Sequence, residues 1–195
     1  LIIHKIFGLL FDVILRKDLL MKTQNKSKSL SKVPEDGLYP EIIRKNYLGS
    51  KKLVGKKAVI SGGDSGIGQA VAVHFAREGA DVAIIYKESD KDAKETLKLV
   101  EKEGRQCILL KGDIAKKAFR NKCLEKVKKQ WKTLDILVNN AGIQFPKDDV
   151  ENISDQQIAE TFNVNIISMI SFTRDFLPLM KKGSRIICTT SVTAY

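Results

Sequence analysis

From Lys57 onward, short apolar runs alternate with stripes of apolar residues at helical spacing. Lys57-Ala58-Val59-Ile60 is a compact run just ahead of a glycine cluster, which predicts a buried strand. Residues 66–78 carry Ile67, Ala70, Val71, Val73 and Phe75 among polar Gln69, Arg77 and Glu78. That spacing predicts a helix, ended by Gly79. A second strand is predicted at Asp81–Tyr86. A second helix follows over 90–103, with Ala93, Leu97 and Val100 on one face and Gly104 at its end. Cys107–Leu110 reads as a third strand and residues 115–131 as a long charged helix with Phe119, Leu124 and Val127 inward. Leu134–Asn139 is the fourth strand. Ser154 is placed to cap a short helix with Asp155 in its first turn, and a longer helix follows through Met180. Arg185–Cys188 is the fifth strand.

Continuous apolar strands between amphipathic helices predict a parallel sheet covered on both faces. With right-handed crossovers this gives an α/β class, a doubly wound, Rossmann-like sheet. The 195 residues suit one such domain, assigned to 53–195. Residues 21–52 are polar, basic and broken by Pro34, Gly37 and Pro40, and read as a tail or linker, partly wrapped on the domain. Residues 1–20 read as a segment translated from upstream of a start at Met21. Their apolar run is interrupted by Asp12, falls short of the roughly 20 residues that span a bilayer, and has no small-residue cleavage site.

Charge changes the picture only at the front of the chain. The net charge is +11, and residues 1–57 hold 13 Lys/Arg against 5 Asp/Glu. A nucleic-acid or membrane-surface arm would suit that balance, but aromatic interleaving is limited to Tyr39 and Tyr47, so a solvated tail is preferred, with neither nucleic acid nor membrane as partner. Cys107, Cys123 and Cys188 show no paired spacing, and His4 and His74 lie far from every motif. Neither a disulfide framework nor a metal centre is expected, and a reducing, cytoplasmic setting fits.

The candidate chemistry starts at Ser61-Gly62-Gly63-Asp64-Ser65-Gly66-Ile67-Gly68. A diphosphate needs backbone N–H donors at a helix N-terminus and no side chain in its path. The pattern Gly-x-x-x-Gly-x-Gly here leaves a strand and opens a helix, which raises it above a mere tight turn. The end of the second strand then selects between cofactors: a carboxylate there binds the ribose hydroxyl of NAD, a cation accepts the extra phosphate of NADP. The chain has Tyr86-Lys87-Glu88, so Lys87 leans to NADP while Glu88 keeps NAD open.

With this turn, Asp113 in Gly112-Asp113-Ile114, the run Asn139-Asn140-Ala141-Gly142 and Ser191 in Thr190-Ser191-Val192 in register, residues 50–195 resemble the short-chain dehydrogenase/reductase family. The match to Ser-Gly-Gly-Asp-Ser-Gly-Ile-Gly and Thr-Thr-Ser-Val-Thr-Ala-Tyr is similar to its glucose/ribitol-type, general-stress-like subgroup. The resemblance implies an NAD(P)-dependent oxidoreductase passing hydride between a small carbonyl or alcohol substrate and the nicotinamide, and homo-oligomerisation of the whole enzyme. Asp113 and the adjoining Ile114 would meet the adenine, Asn139 would stabilise the central sheet, and Ala141-Gly142 would let the ribose lie against backbone. Ser61, Asp64, Ser65, Ile67 and the glycines would line the diphosphate, and Tyr86 and Lys87 the adenosine ribose. Asn165 would distort its helix and hold a water for proton relay, and Ser191 would bind the substrate oxygen.

The resemblance also implies a general-acid Tyr and a Lys beyond the serine. Tyr195 stands only four residues past Ser191 and matches a non-catalytic position instead. The chain is therefore expected to be a C-terminally incomplete, inactive fragment whose fifth strand is an uncovered edge, prone to aggregation. Alternatives are a non-catalytic NAD(P)-binding module and, less favoured, a binder acting through its basic tail.

Overall fold

A computed structural model describes residues 42–44 and 46–190. The expectations for residues 1–41, and for Ser191 and Tyr195, lie outside the described residues. Ile42–Thr189 forms one compact unit.

Five strands make a single parallel sheet: β1 Lys57–Ser61, β2 Asp81–Tyr86, β3 Cys107–Lys111, β4 Leu134–Asn139 and β5 Met180–Cys188. Their order across the sheet is β3-β2-β1-β4-β5. The helices between them are α1 Gly66–Arg77, α2 Asp90–Lys102, α3 Lys117–Trp131, α4 Asp155–Phe162 and α5 Ser168–Phe176. No helix among the described residues is long and apolar enough to cross a membrane.

The period-2 pattern of the strands sorts their side chains into two cores. Ala58, Ile60, Val82, Ile84, Tyr86, Ile136 and Val138 face α1 and α2 through Ala72, Ala76, Ala93 and Val100. Val59, Ala83, Ile85 and Leu137 face the other way, onto Cys123, Val127 and Trp131 of α3 and Phe172 and Phe176 of α5. Helices on both faces make the sheet doubly wound, as the sequence pattern predicts. Phe172 and Phe176 are fully buried, and their rings pack 4.5 Å apart at 53°. Each such side chain contributes about 1.5–3 kcal/mol by burial.

Three boundaries differ from the sequence reading, each for a local reason. Helix α3 begins at Lys117, not Ala115, because the carboxylate of Asp113 accepts the N–H of Ala115 at 2.9 Å and Lys116 donates to the carbonyl of Asp113. The helix before β5 does not run to Met180. Pro178 lies in a short 3-10 turn, Leu177–Leu179, and the strand starts at Met180. Strand β5 is thus longer than Arg185–Cys188, but it is irregular. Leu134 pairs with Met180 while Ile136 pairs with Arg185, and Gly183 takes a left-handed φ of +96° in the bulge between. The Ser184 hydroxyl ties the bulge to the carbonyl of Leu134 at 3.0 Å.

Helices α4 and α5 are joined without a break by a π-helical turn, Asn163–Ile167. Ser154 caps α4 as its sequence predicts, in a reciprocal box with Gln157. The segment before β1 is fastened to the end of α1. Glu78 accepts the Tyr47 hydroxyl and the N–H groups of Ser50 and Lys52, the latter two at 3.0 Å. Arg77 in turn donates to the carbonyl of Tyr47 and pairs with Glu103 of the loop after α2. On the far side, Ile186 and Ile187 of edge strand β5 are each 43% exposed.

Candidate functional site

The chain direction along the sheet reverses at β1, which has β2 on one side and β4 on the other. Open parallel sheets take ligands in the crevice beyond the carboxyl ends of the strands at such a switch point. Here β1 runs into the turn 62–65 and then α1, and β4 runs into Asn140-Ala141-Gly142.

The turn is built for close approach. Gly62 and Gly66 have φ of +63° and +52°, the left-handed region. Gly68 is needed for space instead: a Cβ there would stand 1.8 Å from the carbonyl oxygen of Gly62 and 2.7 Å from Nδ2 of Asn140. Ser65 precedes α1 in extended conformation and makes no side-chain capping bond, and the first turn of α1 holds no acidic residue. The first amides of such a helix lack intrahelical partners and carry its positive pole, so they suit an anion. Ile67, beside them, is 63% exposed.

The opposite wall is locked to the turn by Asn140, a residue whose role the sequence does not announce. Its Nδ2 donates to the carbonyls of Ser61 at 3.2 Å and Gly62 at 2.9 Å. Its Oδ1 accepts the Thr189 hydroxyl at 3.0 Å. The only sequence signal for it is its position inside the run 139–142. Ser61 is buried, and its hydroxyl is fully occupied. It donates to the carbonyl of Val138 at 3.3 Å and accepts the N–H groups of Asn140 and Ala141, both at 3.0 Å. Ser61 therefore shapes the crevice and has no bond left for a ligand. Asn139, also buried, donates from Nδ2 to the Thr173 hydroxyl of α5 at 2.9 Å and to Sγ of Cys188 at 3.7 Å, tying β4 to a helix and to β5.

Along β2 and β3 the crevice broadens into a polar shelf. Lys87 and Asp113, read from separate motifs, stand together with Nζ 3.5 Å from Oδ2. The Tyr86 ring belongs to the core while its hydroxyl donates to Asp90 at 2.9 Å, and Lys111 holds the other oxygen of Asp90 at 2.6 Å. Lys111 and then Tyr86 hold the Asp90 carboxyl below its usual range. Burial, followed by the nearby charge of Asp92, pushes the Asp64 carboxyl up. Ile114 packs into the core beside Cys123, and its carbonyl accepts Arg120 at 2.9 Å. Arg120 also pairs with Asp175 of α5 at 2.8 Å, which fixes the loop after β3 against that helix.

At the β4 end, Asn165 lies within the π-helical turn. Its side chain grips the main chain of Ile143 like a paired strand. Oδ1 accepts the N–H at 2.8 Å and Nδ2 donates to the carbonyl at 2.9 Å. A Cβ on Gly142 would lie 3.5 Å from Oδ1 of Asn165, so Asn165, Ala141 and Gly142 share one corner of the crevice. A π turn rotates one residue out of helical register and is frequent at functional sites.

Tyr47 and Lys51 are also a Tyr and a Lys, four residues apart, but they precede Ser191 in the chain and sit elsewhere. Tyr47 binds Glu78 at the far end of α1, some 18 Å of helix away from the turn. The hydrogen bond to Glu78 raises its pKa, opposite to the shift a catalytic phenol needs.

The fold and crevice define a doubly wound α/β protein with a phosphate-type glycine turn at its switch point. The short chain dehydrogenase family model matches residues 56–195, and the chain belongs to that family. It is 44% identical to General stress protein 39 of Bacillus subtilis over 179 residues, 92% of this chain and 62% of that protein. To the Glucose and ribitol dehydrogenase of Daucus carota it is 38% identical over 162 residues, 80% of this chain and 56% of that one. Among solved structures, a short chain dehydrogenase from Burkholderia cenocepacia in complex with NADP aligns with a TM-score of 0.69 at 35% identity. That alignment covers 72% of this chain and 57% of the other. The chain thus spans between half and two thirds of the length of the relatives it matches.

Proposed function

We propose that the chain is the nucleotide-binding part of an NAD(P)-dependent short-chain oxidoreductase that interconverts a small carbonyl compound and its alcohol. The observation that carries the reading is the cradle at Gly68, where a single methyl group would strike the backbone of Gly62. That packing seats the unspent amides at the start of α1 against the turn, and the open space at Gly66, where a Cβ would meet nothing within 4 Å, leaves room for a diphosphate. In this reading the amides from Ser65 to Gly68 bind the diphosphate, Lys87 and Tyr86 border the adenosine ribose, and Asp113 with Ile114 flanks the adenine. Ala141 and Gly142 back the nicotinamide ribose. The nicotinamide supplies the hydride chemistry when bound. Asn165 lies on the proton path, and Ser191 holds the substrate oxygen. Lys87 is the basic group at the end of β2, and NADP is the preferred cofactor. The names of relatives point the same way: one is the NADPH-dependent aldehyde reductase 1 of Arabidopsis thaliana, 38% identical over 162 residues.

The test is fluorescence titration of the 195-residue chain with NADPH and NADH. Saturable binding with NADPH the tighter ligand is expected, and no saturable binding of either would overturn the reading. Homo-oligomerisation of the whole protein belongs to the same proposal. It is supported by Ile158, Phe162 and Ile170, which are 41–56% exposed along α4 and α5. Sedimentation equilibrium checks it, with a monomer as the contrary result.

A further inference from the structure

Thr96 lies in the middle of α2, is fully buried and belongs to no motif. A buried mid-helix threonine ordinarily returns its hydroxyl to the carbonyl four residues earlier. This one reaches out of its helix. Its hydroxyl donates to the main-chain carbonyl of Asp64 at 2.9 Å and accepts Nε2 of Gln69 at 2.9 Å. Asp64 stands in the glycine turn and Gln69 just inside α1, so one hydroxyl joins both limbs of the turn.

The turn needs such a tie. Asn140 holds its entry through the carbonyls of Ser61 and Gly62. Where the turn enters α1, Ser65 is extended at a φ of −149° and Gly66, the first residue of the helix, is left-handed at +52°. A peptide plane at Asp64 free to rotate would turn the amides that follow it. The Thr96 hydroxyl fixes that plane on the side Asn140 does not reach.

We propose that Thr96 is a positioning residue for the diphosphate: through the Asp64 carbonyl and Gln69 it sets the direction of the Ser65–Gly68 amides. The inference rests on the cofactor reading above. It makes the second helix, which lies outside the crevice, a determinant of cofactor affinity. The side-chain amide of Gln69 serves it by orienting the hydroxyl toward Asp64.

The experiment compares Thr96→Val, which keeps shape and loses the hydroxyl, with Thr96→Ser, which keeps the hydroxyl, in the 195-residue chain. Equilibrium titrations use NADP+, ADP-ribose and adenosine. Thr96→Val should weaken NADP+ and ADP-ribose about tenfold, which corresponds to about 1.4 kcal/mol. Adenosine, with no diphosphate, should bind as it does to the unaltered chain, and Thr96→Ser should restore both dinucleotide ligands to within about threefold. Equal weakening of all three ligands, or none, would overturn the inference. Should Thr96→Val fail to fold, Gln69→Leu decides: a loss confined to the diphosphate ligands is expected, and unchanged affinity overturns it. Failure of the unaltered chain to bind NADP+ counts against the cofactor reading instead.

Discussion

Gly66 and Gly68 look alike in the sequence, and the structure gives them different work. Alanine at Gly68 brings opposing effects. Replacing a helical glycine contributes about 0.5–1 kcal/mol through backbone entropy. Against this, the added Cβ would meet the Gly62 carbonyl at 1.8 Å, where 3.0 Å is the closest such an atom is found, a shortfall of 1.2 Å. The struck atom is backbone and is itself held by Asn140 at 2.9 Å, so no flexible side chain can yield. Overpacking of this kind costs about 1–3 kcal/mol and wins over the entropy gain. A displacement of the binding backbone by about 1 Å lowers a positional function by about a hundredfold. Gly68→Ala should therefore lower stability by about 1–2 kcal/mol, and should weaken NADPH binding about a hundredfold. Alanine at Gly66 would enter the space assigned to the diphosphate, so the comparison is Gly104 after α2, where alanine meets nothing within 4 Å and suffers only its left-handed φ of +71°, at about 1–2 kcal/mol. The two variants thus match in stability and part in affinity. Urea denaturation and NADPH titration measure both quantities. Gly68→Ala binding NADPH as tightly as Gly104→Ala would refute the reasoning.

Other outcomes follow from the same geometry. Asn140→Ala leaves the carbonyl of Gly62 without its 2.9 Å donor and should lower stability by about 1–3 kcal/mol in urea melts, with NADPH affinity falling alongside. Tyr47, and after it the amides of Lys52 and Ser50, hold the Glu78 carboxyl down to about 2, below its unfolded value of about 4.3. Its stabilising effect is complete above that unfolded value and fades as pH falls through about 2. Glu78→Gln should flatten the acid limb of the stability–pH curve between about 5 and 2, and a limb of unchanged slope would count against the latch. Lys87→Glu should weaken NADP+ more than about tenfold and change NAD+ far less, read as a ratio of dissociation constants; a parallel loss for both would remove Lys87 from the ribose site.

Much of the scaffold is legible because it depends on local pattern. Strand β4 falls on Leu134–Asn139 as its apolar run predicts, and the Ser154 cap is visible from its own residues. What escapes the sequence is decided by partners far along the chain. Nothing near Thr96 announces that it meets Asp64, 32 residues away, and nothing near Glu78 announces that it holds residues 47–52. The family resemblance implies a distorted helix at Asn165, as the π turn shows, but not the grip on Ile143 that accompanies it, and nothing local signals the bulge in β5, where Ser184 bonds β4. In the crevice, the glycines announce themselves by type. Asn140 does not, since an asparagine beside another asparagine carries no sign of which one bonds the turn.

The central position of β1 has a consequence for how the chain is made. It leaves the ribosome first among the strands, yet one of its neighbours, β4, pairs Ile136 with Ala58, 78 residues later. At roughly 5–20 residues per second, β1 waits about 4–16 s with one flank open during synthesis. In that interval β2 and β3 can dock only on the other flank, so the nascent chain presents Ala58–Ile60 as an unclosed seam that chaperones are equipped to cover.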